Sequence, residues 1–515
     1  MEPGRQVRRD VVLPAGIWFA FALALYVLTG AHGLVWADSS KLTLYAVNRY
    51  LPSFNPGDHA GWTLLAWAWL KVSHGDPVVW THRLSALSGA FVVALSYLWA
   101  LRRWGDRVRA HTLAVMLMVA QPLWWAATVA ETYAPGIALV FAGSLALQEK
   151  NSRLRWFLAG GLWGLAIAVH ALAVFIIVPL ALEQTGAKSW KLLPAAALGF
   201  APVWLAAFGG PLDPLTGFAA SGAFTWGWHW EAFVAFTRAP LQAALLLGLF
   251  LYGVGPLGVV ALLWRTTRTH VHLAWPVSLG ALTLLLLGYA PYRLHLMVGF
   301  VLVGVLLATP AMLSLRLRLA HVVVQIALYF AVPALLANLG GESLGARVLP
   351  FRSNAFYFLC PIKSKDLTAP QPSARNLEEA SSRSWVSQLR SALDPGAERY
   401  VAALDQCAPA GATVLADFNP GAVLRLAQVV RGWRLDLDVR PVAVDVALAD
   451  PNPAAALTRV VMEALAAHPV VLADVWPPYY RVNELARRFD LECGVPCIRI
   501  TRTRAAPPSP AATRQ

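Results

Sequence analysis

Acidic side chains are scarce in this chain. Its 515 residues include 28 Asp and Glu against 42 Lys and Arg, and charged residues of both signs make up 14% of the sequence. Hydrophobic residues make up 57%, and the mean hydropathy is +0.54. A soluble domain usually carries about a quarter charged residues. The composition therefore excludes an ordinary soluble enzyme and indicates a membrane protein.

Cysteine is rare as well, and all four cysteines follow residue 339. An oxidising outer compartment permits disulfides, and four cysteines allow three pairings. We predict a local pair between Cys493 and Cys497, which leaves Cys360 with Cys407. Since no cluster of His or acidic residues accompanies the thiols, we predict no metal site.

Two features of nucleotide and nucleic-acid proteins are also missing. No glycine-rich phosphate loop opens a helix in the C-terminal part, so nucleotide binding has no support. The net charge of +14 comes mainly from Lys and Arg before residue 340, on alternate loops between apolar runs. This is the positive-inside bias of a membrane protein, and we predict no nucleic-acid partner.

Long apolar runs recur between residues 11 and 338, and a bilayer-spanning helix needs about 20 such residues. The first run is not read as a cleaved signal peptide, since it lacks a clear cleavage site and more runs follow. Residues 156–184 are short for two crossings, and the alternative is a single bent helical element. With a cytoplasmic N-terminus, eleven crossings place everything after Leu339 outside. We predict spans at 12–30, 80–101, 111–128, 134–149, 156–170, 171–184, 191–208, 240–264, 271–290, 296–314 and 320–338.

The predicted fold class is mainly α: a polytopic membrane protein followed by a small extracytoplasmic α/β domain. The membrane domain covers 1–339 and has a long first outer loop at 31–79, in which 41–50 and 62–72 predict helices lying along the interface. An outer linker (340–390), the α/β domain (391–501) and a disordered tail (502–515) follow. In the α/β domain, strands are predicted at 412–418, 437–444, 469–475 and 497–500, and helices at 422–430, 454–467 and 482–489.

Few acids fall on the outer side of the membrane part, and Asp38 and Glu131 each lie close to the end of a predicted span. A charge near the hydrocarbon is costly, so it tends to be functional or paired. Asp38 is therefore either a site residue or half of a structural ion pair with Arg83 or Lys41. The other outer acids are Asp58, Asp76, Asp213 and Glu231.

Cations and imidazoles form a second outer set. Arg suits phosphate because its planar fork donates paired hydrogen bonds, and Arg293 lies with His295 in a short outer loop between two spans. The alternative for Arg293 is an interfacial anchor. His59, His82 and Arg83 complete the set, and both histidines are open to being structural.

These residues carry a resemblance to a family. Asp38 follows the first span, a Pro/Gly/His segment comes next, and 83–87 (Arg-Leu-Ser-Ala-Leu) opens the second span. This order resembles the GT-C superfamily of membrane glycosyltransferases, which take sugars from polyprenyl phosphates. Residues 38–41 and 130–133 are similar to the Asp-Ser-Gly-Glu and Ala-Glu-Val-Tyr motifs of bacterial relatives of the protein O-mannosyltransferase-like family. Residues 409–412 and 434–439 resemble its outer-domain motifs.

The resemblance implies a sugar transfer at the outer membrane surface. The donor would be a polyprenyl-phosphate sugar, the acceptor an extracytoplasmic hydroxyl of a protein, glycan or lipid, and no cofactor would be needed. Asp38 would be the general base and Glu131 would position the acceptor or Asp38. Arg293, with His295 or Arg83, would bind the donor phosphate.

The chain departs from the family pattern at two places. Lys41 stands where the family has its second acid, and His-Pro-Pro-Gly is replaced by Asn55-Pro56-Gly57-Asp58-His59. The change at Lys41 indicates a divergent subfamily, an altered donor or lost activity. His59, Asp58 and Lys41 are the candidates for binding the acceptor or the sugar.

Two other functions are compatible with a polytopic chain that carries an outer domain. One is a transporter or flippase, which would favour internal repeats and ionisable groups near mid-span; neither is evident. The other is a non-catalytic envelope assembly protein. All three place the protein in a bacterial inner membrane, in contact with the lipid bilayer.

Overall fold

The computed structural model describes most of the membrane domain and much of the α/β domain. The described residues are 3–36, 38–51, 59–149, 154–207, 247–248, 250–266, 273–288, 305–306, 309, 314–338, 361, 396–441, 453–473, 480, 482–493 and 498–503.

Helices dominate the described part of residues 3–338, and their bounds follow local signals. The helix Pro77–Trp104 is an example. Asp76 accepts a hydrogen bond from the Val78 N–H at its start, and Gly105, with φ 65°, ends it. The helices are α1 (Pro3–Thr29), α2 (Asp38–Asn48), α3 (Ala60–Val72), α4 (Pro77–Trp104), α5 (Arg107–Val119), α6 (Gln121–Thr128), α7 (Tyr133–Gln148), α8 (Arg155–Val169), α9 (Val174–Thr185), α10 (Leu193–Gly199), α11 (Ala201–Ala207), α12 (Pro256–Thr266), α13 (Ala274–Gly288) and α14 (Leu315–Asn338).

Several of these helices are long and apolar enough to cross a bilayer. Within the described residues, four candidates satisfy both criteria: Val11–Thr29, Pro77–Trp104, Ala171–Gly199 and Leu315–Val332. A fifth is the pair α5–α6, which bends by 58°. The prediction of a polytopic, mainly helical protein is confirmed, whereas the number eleven stays a prediction.

Small residues bring α8 and α10 into close contact. A Cβ at Gly160 would lie 2.5 Å from the Leu192 carbonyl oxygen, and one at Gly164 would overlap the Ala196 carbonyl. Glycine is favoured where membrane helices approach this closely. The contacts advance in the same direction along both helices, so α8 and α10 run parallel.

The two helices of the first outer loop are present, but α2 does not lie exposed along an interface. Residues Ser39 to Ala46 are all buried. Helices α3 and α4 pack against α2, and the helix Phe418–Arg431 of the C-terminal α/β domain contacts it as well. The predicted break at 52–61 lies mainly outside the described residues.

The C-terminal domain is a five-stranded sheet with helices, which confirms a small α/β domain. The strand order is β2-β1-β3-β5-β4, with β1 parallel to β2 and β3, and β5 antiparallel to β3 and β4. The elements are α15 (Gly396–Cys407), β1 (Thr413–Ala416), α16 (Phe418–Arg431), β2 (Asp438–Pro441), α17 (Pro453–Leu465), β3 (Val470–Leu472), α18 (Val482–Leu485), β4 (Phe489–Cys493) and β5 (Ile498–Thr503).

One element differs from the sequence-based expectation. The helix predicted at 482–489 ends at Leu485, and Phe489 begins β4 instead. The Phe489 side chain is fully buried, and β4 pairs along its length with β5. Antiparallel pairing with the next strand in the chain therefore overrides a helical pattern that was too short to hold by itself.

Candidate active site

Asp38 opens α2, directly after the loop that follows α1. A carboxylate in the first turn of a helix faces the positive end of the helix dipole, which favours the charged form. Lys41, one turn later, places its Nζ 3.4 Å from Oδ1 of Asp38. The Asp38 side chain is 37% exposed and the Lys41 side chain only 9%. Asp38 is therefore a partly exposed carboxylate that is paired with a nearly buried cation.

Glu131 lies in the short connection between α6 and α7, where neighbouring helices fix its backbone. Its carbonyl accepts hydrogen bonds from Nε1 of Trp62, at 3.1 Å, and from Oγ of Ser85, at 3.3 Å. Its N–H donates to the same Ser85 Oγ at 3.0 Å. Helices α3 and α4 thus both orient Glu131, which lies in the segment 130–133 that resembles the Ala-Glu-Val-Tyr motif.

The Glu131 side chain is buried, with 3% exposure. Burial raises the pKa of Glu131 well above its ordinary value, and the negative charge of Asp38 raises it further. The Thr132 N–H and the Lys41 ammonium act in the opposite direction but are the smaller causes. The site therefore combines an exposed carboxylate that is paired with a cation and a buried carboxyl that favours its proton.

His59 completes the group at the start of α3, with a left-handed φ of 57°. Its Nδ1 lies 3.1 Å from the Val169 carbonyl oxygen, which can only accept, so Nδ1 carries the proton and Nε2 is the acceptor in the neutral ring. Burial and the charge of Lys41 lower the pKa of His59 to about 4, against the smaller influences of Asp38 and the Val169 bond. The ring is therefore neutral at physiological pH.

We call Asp38, Lys41, His59 and Glu131 the mouth cluster. The sequence predicted all four as site residues, and the shared electrostatic influences show that the fold brings them together. The predictions for Asp58, Arg293 and His295 lie outside the described residues.

Arg83 lies apart from the mouth cluster. Thr81 and Ser85 face α2 and Glu131, and Arg83 is two residues from each, about 200° around the helix. Its Nη1 donates to the Val27 carbonyl at 2.8 Å, and its Nη2 lies 3.4 Å from Nδ1 of His32. It lines a groove of about 450 Å³ with Leu23, Val27, Trp69, Asp76, Val79, Trp80 and Leu87.

His82 has a structural contact, which was one of its two predicted roles. It is buried, and its Nε2 donates to the Gly33 carbonyl at 3.0 Å. The residue that sequence reasoning missed is His170, whose ring stacks on His59 with centroids 4.8 Å apart and also contacts Tyr133 at 4.3 Å. A histidine at the end of an apolar run was the one available signal.

The cysteine and metal predictions are tested only in part. Cys407 is disulfide-bonded, whereas Cys360 and Cys497 lie outside the described residues, so the pairing stays a prediction. In the part of the chain that the structure describes, no group of three or more His, Cys, Asp or Glu side chains is arranged to hold a metal ion.

Comparisons with known proteins give structural neighbours only. The chain is similar over 95% of its length to 97% of ArnT from Cupriavidus metallidurans bound to undecaprenyl phosphate, with 13% identity and a TM-score of 0.49. The apo state of the same protein matches 94% of this chain over 97% of its own length, with 13% identity and a TM-score of 0.45. No family model and no curated protein matches the chain.

Proposed function

We propose that the chain is a membrane glycosyltransferase that moves a sugar from a polyprenyl-phosphate donor to a hydroxyl of an extracytoplasmic acceptor. It would act in a bacterial inner membrane, with a cytoplasmic N-terminus and an extracytoplasmic α/β domain. The observation that carries the proposal is the contrast between the two acids of the mouth cluster. Asp38 is half-exposed and paired with Lys41, whereas Glu131 is buried and has a raised pKa.

This contrast suits acid–base chemistry on one hydroxyl. When environment pushes two carboxyl groups apart in pKa, the ionised one can accept a proton and the neutral one can donate a hydrogen bond. Asp38 is the general base, which needs to come within hydrogen-bond reach of the hydroxyl. Glu131, protonated, positions the acceptor or Asp38. His59 offers Nε2 as an acceptor for a sugar or acceptor hydroxyl.

The reaction is a direct displacement at the anomeric carbon. Asp38 takes the hydroxyl proton as the acceptor oxygen bonds to that carbon, and the bond from the carbon to the phosphate oxygen breaks. The polyprenyl phosphate leaves with the electron pair and a negative charge. A cation beside the leaving phosphate would stabilise that charge, and Arg293, His295 and Arg83 are the predicted candidates.

The experiment is a donor-turnover assay on the purified protein in lipid nanodiscs. Polyprenyl-phosphate sugars of several kinds are incubated with protein, glycan and lipid fractions of the cell envelope, and released polyprenyl phosphate is measured by mass spectrometry. Release that needs both an acceptor fraction and the intact mouth cluster supports the proposal. Movement of intact donor across the bilayer without release would instead identify a flippase.

A further inference from the structure

The loop between α1 and α2 leads into the proposed base, and three hydrogen bonds from neighbouring helices, α2 included, hold it. The Ala31 N–H donates to the Thr128 carbonyl at 2.8 Å. Nε2 of His82 donates to the Gly33 carbonyl at 3.0 Å, and Oγ of Ser40 donates to the Val35 carbonyl at 2.5 Å. We call residues 31–36 the base loop, because Asp38 follows it at the start of α2.

A fourth hydrogen bond comes from the outer domain, 364 residues away in the chain. The Leu34 N–H donates to Oε1 of Glu398 at 2.7 Å. Leu34 is 2% exposed, and a buried N–H without an acceptor is costly. Glu398 therefore satisfies a backbone group of the base loop that would otherwise need another acceptor.

The Glu398 carboxylate is itself fixed by a paired contact with Arg431. Nη1 and Nη2 of Arg431 lie 2.5 and 2.6 Å from Oε2 and Oε1 of Glu398. A guanidinium fork on a carboxylate sets orientation as well as distance. Oε1 thus bridges Arg431 and the Leu34 N–H, and one carboxylate joins α15, α16 and the base loop.

Packing around this contact is close. A Cβ added at Gly33 would overlap Oε1 of Glu398 and lie 3.2 Å from its carboxyl carbon. Beside it, Trp36 packs edge-on against Tyr400 of α15, with ring centroids 5.2 Å apart. The base loop therefore rests directly on the N-terminal half of α15, with Gly33 providing the clearance that the carboxylate needs.

We propose that Glu398 is a positioning residue for Asp38, and that the outer domain thereby helps to set the geometry of the reaction; this rests on the proposed function of Asp38. The membrane part fixes Ala31, Gly33 and Val35, and Glu398 supplies the anchor between them at Leu34. Without it, the backbone two to four residues before Asp38 gains freedom. A base that is displaced by about 1 Å loses rate by roughly 100-fold.

The test uses three variants that disturb the contact in different ways. Glu398→Ala removes the acceptor and the ion pair, Glu398→Gln keeps an acceptor for Leu34 but loses the charge, and Gly33→Ala drives the carboxylate away. The matched control is Asp436→Asn, which breaks an exposed ion pair with Arg434 in the same domain. We expect kcat to fall about 10- to 100-fold in Glu398→Ala and Gly33→Ala, with the donor KM little changed. The kcat of Glu398→Gln should lie between the values for these two variants and the value for the wild type.

Two further measurements separate positioning from a general structural role. Hydrogen–deuterium exchange of peptides covering the base loop should rise in Glu398→Ala and stay unchanged in Asp436→Asn. In an Asp38→Asn background, adding Glu398→Ala should lower the residual rate no further, because Glu398 acts through Asp38. A melting temperature close to the wild type verifies that each variant is folded.

Full kcat in Glu398→Ala despite faster exchange would overturn the inference, and so would a further drop of the same size in the Asp38→Asn background. Unchanged exchange of the base loop would also overturn it, since the tether would then be absent. If Asp38→Asn alone transfers sugar normally, the proposed function itself fails and this inference falls with it. That result is distinct, because it does not involve Glu398.

Discussion

Lys41 and Asp38 form an ion pair one helical turn apart, with Nζ 3.4 Å from Oδ1, at the position where the resembling family has an acid. Asp38 therefore has a positively charged neighbour here, where the family's aspartate has a negatively charged one. Its ammonium is nearly buried and also lies 5.9 Å from the centre of the Tyr45 ring. A buried cation needs such partners, since breaking a buried pair is strongly destabilising.

The first prediction concerns this pair. Lys41→Met removes a positive charge beside the proposed base, so a higher pH is needed to ionise Asp38. We expect the acid side of the pH dependence of kcat/KM to move to higher pH and the maximum rate to fall. Lys71→Met, which removes an outer lysine that lies over the Trp67 ring, is the control. An unmoved profile would remove Lys41 from the chemistry.

The second prediction concerns stability above pH 5. The pKa of Glu131 is raised in the folded state, whereas in the unfolded chain it is about 4.3. The stability from this group is fully present below that value and is lost as pH rises toward the folded pKa. Glu131→Gln cannot ionise, so its melting temperature should fall less than that of the wild type between pH 5 and 8. Parallel changes in both proteins would contradict a raised pKa.

The third prediction concerns His59 and the stability of the protein at acidic pH. Its pKa is about 4 in the folded protein and about 6.5 in the unfolded chain, so stability from this group is lost as pH falls from about 6.5 to 4. His59→Asn tolerates the left-handed backbone and can still donate to the Val169 carbonyl. The melting temperature of this variant should therefore fall less than that of the wild type as the pH is lowered over this range. An equal loss would show that His59 protonates normally.

The fourth prediction concerns the donor phosphate. If Arg293 binds it, Arg293→Ala should weaken binding of a polyprenyl phosphate strongly, and Arg293→Lys should restore only part, because an ammonium cannot replace a paired fork. Arg83→Ala is the comparison, since Arg83 lies on the far side of α4 from Ser85. Titration of the lipid in nanodiscs measures all three. Weakening in Arg83→Ala alone would move the phosphate site to the groove beside α1.

Parts of this site could be predicted from the sequence because they depend on local spacing. Asp38 and Lys41 are three residues apart, and on a helix that spacing makes them neighbours. Long apolar runs and the turn signals around α4 likewise predict a helix before any packing is known. The α/β alternation after residue 390 has the same local origin.

Other features depend on contacts that no local pattern contains. The contact of Glu398 with Leu34 joins residues 364 apart, and the stacking of His170 on His59 joins the ends of two separate helices. The pKa of Glu131 depends on burial by α3 and α4 and on the charge of Asp38. In the same way, the side of α4 on which Arg83 lies was not evident, because the facing helices decide it.

The fifth prediction tests the proposed base itself. Asp38→Asn keeps the size of the side chain and its place at the start of α2 but removes its basicity. Asp106→Asn is the matched control, because Asp106 opens α5 beyond the opposite end of α4 and Asn caps a helix about as well as Asp. Both variants should fold and bind donor like the wild type.

Single-turnover sugar transfer from a polyprenyl-phosphate donor, measured in nanodiscs for the wild type and these two variants, is the most direct test. The account predicts a rate at least about 100-fold lower in Asp38→Asn and an unchanged rate in Asp106→Asn. Transfer by Asp38→Asn at the wild-type rate would contradict the assignment of Asp38 as the base.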